Sequence, residues 1–157
     1  MFDINNYIEE NLEIYEKKGN YFITYNKKKI QFYLKKSLTI TEITEYKGKN
    51  NILVKIEDEY KNFFKKLEKI FLKKFNIEED NLITLIRENE KGNIIKLKIN
   101  KRNKKIILDV YDKNQEYISY KDIEKYQKIR CLIEIDRIWD YNDKNGFIII
   151  VKKIYIE

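Results

Sequence analysis

The apolar positions of this chain follow two periods. Between Asp58 and Phe75 the spacing is helical: Tyr60, Phe63, Phe64, Leu67, Ile70, Phe71 and Phe75 share one face, and lysines 61, 65, 66, 69, 73 and 74 fill the remainder. This predicts one long amphipathic helix over 58–75. Most of the rest alternates with period two, the signature of half-buried strands. Tyr21 to Tyr25 and Lys29 to Leu34 read as a hairpin around Asn26-Lys27, and further strands are expected at Ser37 to Thr44 and Ile52 to Glu57. A meander is expected from Leu82 to Arg87, Asn93 to Asn100 and Ile106 to Tyr111. Two long strands, Ile129 to Trp139 and Phe147 to Ile156, close the chain, with Asn145-Gly146 supplying the positive-φ residues that a hairpin wants. At the other end, Ile4, Tyr7, Ile8, Leu12 and Tyr15 fall on one helical face between a capping Asp3 and a terminating Gly19, which predicts a short acidic helix over residues 1–16. Ser119 and Asp122 are spaced to open one further helical turn.

No repeat and no Pro/Ser-rich linker divides the chain, so the expectation is one α+β, β-rich domain over 1–157, its acidic N-terminal helix followed by a β-rich body from residue 20. Short alternating strands with a helix at a sheet junction resemble the five-stranded OB-fold with additions, an OB-like small barrel. A strongly curved antiparallel sheet with the one long amphipathic helix, or a flat, helix-backed sheet, is the alternative.

Composition narrows the chemistry. Apolar residues make up 43% and charged residues 38% of the 157 positions, enough for one core under a densely ionic surface, which argues against disorder. No apolar run approaches the roughly 18 to 20 residues of a membrane span, and Met1-Phe2-Asp3 begins an acidic stretch, not a signal peptide. An intracellular, non-secreted protein with no membrane partner is expected. The one cysteine, Cys131, sits in an apolar run and reads as a small buried hydrophobe. Without histidine there is no imidazole base and no His-built zinc site, and four glycines at 19, 48, 92 and 146 spell neither a dinucleotide fingerprint nor a P-loop. What survives is carboxylate chemistry with Mg²⁺, for which Asp109, Asp112, Asp136, Asp140 and Asp143 are the candidates. Hairpin-end aspartates are more often turn formers. No catalytic residue, metal site or cofactor is assigned.

The net charge of +7 is unevenly spread: residues 1–16 hold five acids and no cation, which leaves +12 on the remainder. Part of the lysine content fits an AT-rich codon bias, because Lys, Asn, Ile and Tyr dominate while Ala, Pro and His are absent. Two clusters stand out nonetheless. Residues 17–36 carry seven lysines and no acid, interleaved with Tyr21, Phe22, Tyr25, Phe32 and Tyr33; residues 91–105 carry seven cations and no acid. Cations that neutralise phosphates and flat rings that stack bases suit a single strand. If Ile30, Phe32 and Leu34 face the core, then Lys29, Gln31, Tyr33 and Lys35 face solvent together. The candidate nucleic-acid-binding residues are therefore Tyr25, Lys28, Lys29, Tyr33, Lys35 and Lys36, with Lys96, Lys98, Lys101, Arg102, Lys104 and Lys105 as a second wall and Trp139 and Tyr141 as further stacking candidates. Lysine alternating with isoleucine is equally what any solvated sheet face looks like, and strand aromatics often pack instead of stacking.

The C-terminal block carries a family resemblance. Lys96-Leu97-Lys98-Ile99, Ile106 to Asp112, the strand ending in Ile138-Trp139, then Gly146-Phe147 and Lys152-Lys153-Ile154 resemble the C-terminal half of the OB-fold single-stranded-DNA-binding proteins of large nucleocytoplasmic DNA viruses. The resemblance implies an OB-type barrel, a non-enzymatic role in replication, recombination or repair of viral or mobile-element DNA, and a place for Trp139 near the end of a barrel strand. Single-stranded nucleic acid, DNA ahead of RNA, is the expected partner. A homo-oligomer, or a basic protein partner for residues 1–16, follows from the acidic stretch. The rival readings are a structural interaction module and a Mg²⁺-dependent nuclease.

Overall fold

Alternation along the chain closes into a ring of strands. In the computed structural model, which describes residues 1–157, the strands are β1 (Leu12–Lys17), β2 (Asn20–Tyr25), β3 (Lys28–Lys29), β4 (Gln31–Thr39), β5 (Thr44–Tyr46) and β6 (Lys49–Ile56), followed by helix α1 (Asp58–Phe75). Then come β7 (Leu82–Ile83), β8 (Ile86–Asn89), β9 (Gly92–Ile99), β10 (Lys101–Arg102), β11 (Lys105–Ile106), β12 (Asp109–Tyr111), β13 (Tyr117–Ile118), β14 (Lys128–Tyr141) and β15 (Lys144–Ile156). β6 lies antiparallel between β4 and β9, β9 runs parallel to β15, and the β14–β15 hairpin returns to β4. The circuit β4-β6-β9-β15-β14-β4 is a closed five-stranded barrel of OB-like form, as expected. Closure removes the barrel's own edges, and β1–β2 on one flank and β12–β13 on the other extend the sheet.

One phase of each barrel strand fills the interior. Phe32 and Leu34, Ile52, Val54 and Ile56, Ile95, Leu97 and Ile99, Ile129, Cys131, Ile133 and Ile135, then Ile149, Val151 and Ile154 are all buried. Register shifts in the β14–β15 ladder, between Leu132 and Ile133 and between Ile135 and Arg137, bend the long hairpin around this core. Burial pushes the Cys131 thiol up to about 12, so it packs as a hydrophobe, as its surroundings in the sequence suggest.

Helix α1 occupies the expected residues and packs its aromatic face on the barrel. Phe32 lies 5.5 Å from Phe63 and 5.8 Å from Phe64, while Phe71 meets Tyr21 at 5.0 Å and Phe147 at 6.0 Å between ring centroids. Phe64 and Phe71 are completely buried. Asp58 and Glu59 in the first turn and Lys73 and Lys74 in the last complement the helix dipole, and Asn76, left-handed at φ 52°, ends it. No helix is long and apolar enough to cross a membrane.

The N-terminal helix expected over 1–16 does not form. A short 3-10 turn at Glu9–Asn11 leads into β1, which pairs with β2 from Leu12↔Tyr25 to Lys17↔Asn20. Gly19, read from sequence as a helix stop, is with Lys18 the positive-φ pair of a tight hairpin turn. The apolar spacing fits both periods, but only a strand carries Ile14 into the core, opposite Ile23. Asp3 accepts from the Asn5 amide in a turn of its own, and Phe2 docks against Tyr25 and Phe63 at 5.0 and 5.4 Å.

Three other boundaries move. The Asn26-Lys27 turn does form, but β2 and β3 pair over only two positions before β4 leaves to join β14. The strand expected from Ser37 to Thr44 is split: β4 ends at Thr39, and β5 forms a separate hairpin with β6 through Lys47-Gly48. The C-terminal hairpin turns at Asn142-Asp143, both at positive φ, so Asn145 and Gly146 lie inside β15. Ser119 caps its single 3-10 turn by accepting from the Lys121 amide.

Candidate nucleic-acid interface

The strand phase opposite the core builds a row of rings on the outside of the barrel. Tyr33 on β4, Arg130 on β14, Tyr155 on β15 and Tyr111 on β12 each neighbour a fully or nearly fully buried residue and so point outward. The Arg130 guanidinium lies 5.1 Å from the Tyr33 ring and 4.5 Å from the Tyr155 ring, bridging two rings that are 6.2 Å apart. Tyr155 stacks on Tyr111 at 5.0 Å with 15° between planes, and Tyr111 meets Tyr117 on β13 edge-on at 5.9 Å. Tyr117 ends the row 65% exposed. Cross-strand register causes this order, since Arg130 pairs with Tyr155, Tyr155 with Tyr111, and Tyr111 with Tyr117.

The row runs into a groove of about 790 Å³ at one end of the barrel. Tyr117, Tyr120 and the β10–β11 hairpin line it, together with Ile43, Glu45, Leu108 and Ile118. Asn103-Lys104 supplies the two positive-φ residues of that hairpin. Lys101 approaches Glu45 at 3.9 Å, whereas Arg102, Lys104 and Lys105 are exposed and make no ion pair.

The sequence-derived residues divide between this surface and other places. Tyr33 points outward, the side its alternation predicts, and lies in the row; Lys35 and Lys36 are exposed beyond it on β4, Lys101, Lys104 and Lys105 line the groove, and Arg102 is exposed on the same hairpin. Lys28 is exposed at the β2–β3 turn. Lys29 is held inside the protein's own charge network, 3.2 Å from Asp136 and 3.7 Å from Glu134. Lys152 at 3.6 Å from Glu134 and Arg137 at 2.7 Å from Asp136 complete that network, and Gln31 donates to Glu134 at 2.6 Å. Tyr25 is engaged at the N-terminus, where its hydroxyl accepts from the Ile8 amide and its ring meets Phe2. Lys96 and Trp139 line a separate hollow of about 400 Å³ that also includes Arg87. Lys98 sits beside Ile150 across the parallel β9–β15 contact, and Tyr141 is 71% exposed next to the Asn142-Asp143 turn.

Arg130, Tyr155, Tyr111 and Tyr117 belong to no charge cluster, and so clustering does not find them. Their signal is phase: Arg130, Tyr155 and Tyr111 alternate with the core positions of their own strands, as Arg130 does between Ile129 and Cys131, and Tyr117 precedes the partly buried Ile118.

The carboxylates do not assemble. No three Cys, Asp or Glu side chains come together as a group able to hold a metal ion. Asp112 is a turn former, accepting from the Asn114 and Glu116 amides at 2.8 and 3.0 Å, while Asp136 is taken up by its cations.

No family model and no curated protein sequence matches this chain. Solved structures do. The single-stranded DNA-binding protein from bacteriophage Enc34 superposes on it as a C-terminal truncation, with a TM-score of 0.55 at 14% identity, covering 96% of each chain. The same phage protein in complex with ssDNA superposes with a TM-score of 0.55 at 13% identity, again over 96% of each chain. The fold is shared. The likeness spans the whole chain, beyond the C-terminal half that carries the sequence resemblance, and it is to a bacteriophage protein.

Proposed function

We propose that this chain is a non-enzymatic, sequence-tolerant binder of single-stranded DNA, serving replication, recombination or repair of viral or mobile-element DNA. The observation that carries the reading is the continuous outer row Tyr33–Arg130–Tyr155–Tyr111–Tyr117, which opens at Tyr117 into a groove edged by unpaired cations. Rings accept any base, because every base has a π-face, and stacking contributes about 1–3 kcal/mol per base. Lys35, Lys36, Arg102, Lys104 and Lys105 would follow the phosphates and release counterions. The Enc34 protein of the same fold, which has been captured with ssDNA, supports the same reading.

The test is fluorescence anisotropy of a labelled 30-mer single strand, its duplex and an RNA equivalent at two salt concentrations without Mg²⁺. Tight single-strand binding that weakens steeply with salt is expected. Absence of binding at low salt refutes the reading.

A further inference from the structure

The groove beside Tyr117 has one property that neither stacking nor charge explains. Asn50, on β6, is 6% exposed and occupies a core-phase position in register with Glu45 on one side and Ile99 on the other. It lines the groove, yet its side-chain Oδ1 is the single buried side-chain polar atom in the protein with no hydrogen-bond partner. An unpaired buried carbonyl is destabilising, and an apolar residue would continue the series Ile52, Val54, Ile56 with no such cost. The polar group therefore costs fold stability at the place where the barrel core meets the groove.

The geometry points to a nucleobase subsite: one base of a bound single strand inserts into this groove and, as the Asn50 side chain turns to meet it, gives the carboxamide the hydrogen bond that its Oδ1, closed to solvent, lacks. This inference rests on the single-strand reading above. The groove supplies each part of such a site. Ile106 and Leu108 offer an apolar lining, Tyr117 and Tyr120 offer rings, and the β10–β11 lysines lie where the phosphates would leave. Its volume of about 790 Å³ falls within the roughly 300–1,000 Å³ of small-ligand sites. A carboxamide presents one acceptor and two donors, and every natural base offers a neighbouring donor and acceptor on its Watson–Crick edge. The subsite thus recognises that a base is present without choosing which.

Asn50→Leu separates the possibilities. Affinity is measured for a labelled 30-mer of dT and for a 30-mer of abasic residues, with wild type, Asn50→Leu and the exposed-site variant Tyr117→Ala, alongside thermal melts. The expected result for Asn50→Leu is a loss of about fivefold on dT, no change on the abasic strand, and a melting temperature at or above wild type. Tyr117→Ala reports the stacking row and should also lose affinity on dT and not on the abasic strand; Asn50→Ala, which removes the carboxamide and adds no bulk, keeps the subsite question answerable if Asn50→Leu fails to fold. If wild type binds dT and Asn50→Leu binds it equally well, the subsite is refuted while the single-strand reading stands. A lowered melting temperature with unchanged dT affinity gives Asn50 a structural role and equally overturns the subsite. If wild type binds no single strand, both fall.

Discussion

The Trp139 ring lies against the backbone of Gly146, its cross-strand partner in the β14–β15 hairpin. A Cβ placed on Gly146 would stand 2.5 Å from two ring carbons and 2.6 Å from the indole nitrogen. Gly146 is thus needed for close approach and not for a turn. Trp139 is half-buried against it, at the edge of the hollow shared with Lys96 and Arg87. Gly146→Ala should displace the indole and cost about 1–3 kcal/mol, as overpacking does. Because the chain has one tryptophan, its emission reports this site alone, and a shifted spectrum together with a lowered denaturation midpoint is the expected outcome.

Tyr155 occupies the centre of the outer row, stacked on Tyr111 and under the Arg130 guanidinium. Ile154 beside it is buried and Ile156 packs partly buried against the core, so Tyr155→Ala, on the outward phase, should leave the barrel folded by circular dichroism. Removal of one ring is expected to weaken single-strand binding by about 1–3 kcal/mol, a factor of roughly 5 to 150. Tyr111→Ala and Tyr155→Ala should be non-additive, since each ring positions the other. Additive losses would show that the two rings bind separate bases and do not act as one platform.

What was legible in the sequence was the information stored in strong local periods. Helix α1, the β14–β15 pair and the inward phase of Phe32 and Leu34 follow from it. The N-terminal segment failed because Leu12 to Lys17 satisfies a helical and a strand period at once, and the arbiter, pairing with β2, is a tertiary fact. The outer row of rings was only one-fifth visible: Tyr33 lies in a lysine cluster, whereas Arg130, Tyr155, Tyr111 and Tyr117 come from four strands that the ring topology brings side by side. Charge clustering is also silent on the ion pairs of Lys29, because its partners Glu134 and Asp136 lie more than a hundred residues away in a run that reads as apolar strand.

Glu68 is the buried acid of α1, 6% exposed, its carboxylate accepting from the Leu85 amide at 3.1 Å. Burial pushes its pKa up, only partly opposed by that hydrogen bond. A carboxyl whose folded pKa exceeds its unfolded value binds more protons in the native state, so its contribution to stability falls as pH rises from the unfolded value towards the folded one. Glu68→Gln keeps an acceptor for Leu85 and removes the charge. It should melt at a higher temperature than wild type at pH 7, with the difference closing below about pH 4, where Glu68 is protonated in both states. A pH-independent difference would show that packing and not ionisation is responsible.

Lys29 and Lys105 look alike in the sequence and should behave differently. Lys105 is exposed on the groove hairpin and makes no ion pair, the nearby Glu45 being paired with Lys101, and loss of one phosphate contact should lower the slope of log affinity against log salt by about 0.7 for a single strand. Lys29 is occupied by Asp136 and Glu134, whose own side chains are only 13% and 9% exposed. Lys29→Ala should therefore leave the salt slope unchanged and reduce stability instead. The loss should stay within about 1 kcal/mol, because Lys29 is half-exposed and Lys152 and Arg137 remain to balance the acids. Salt titrations of both variants on one labelled dT strand, with denaturant melts of each, measure the contrast. A slope lowered equally in both variants would mean that DNA pulls Lys29 out of its ion pairs, with the bound face extending from the row across β3, and a slope unchanged in both would mean that Lys105 meets no phosphate.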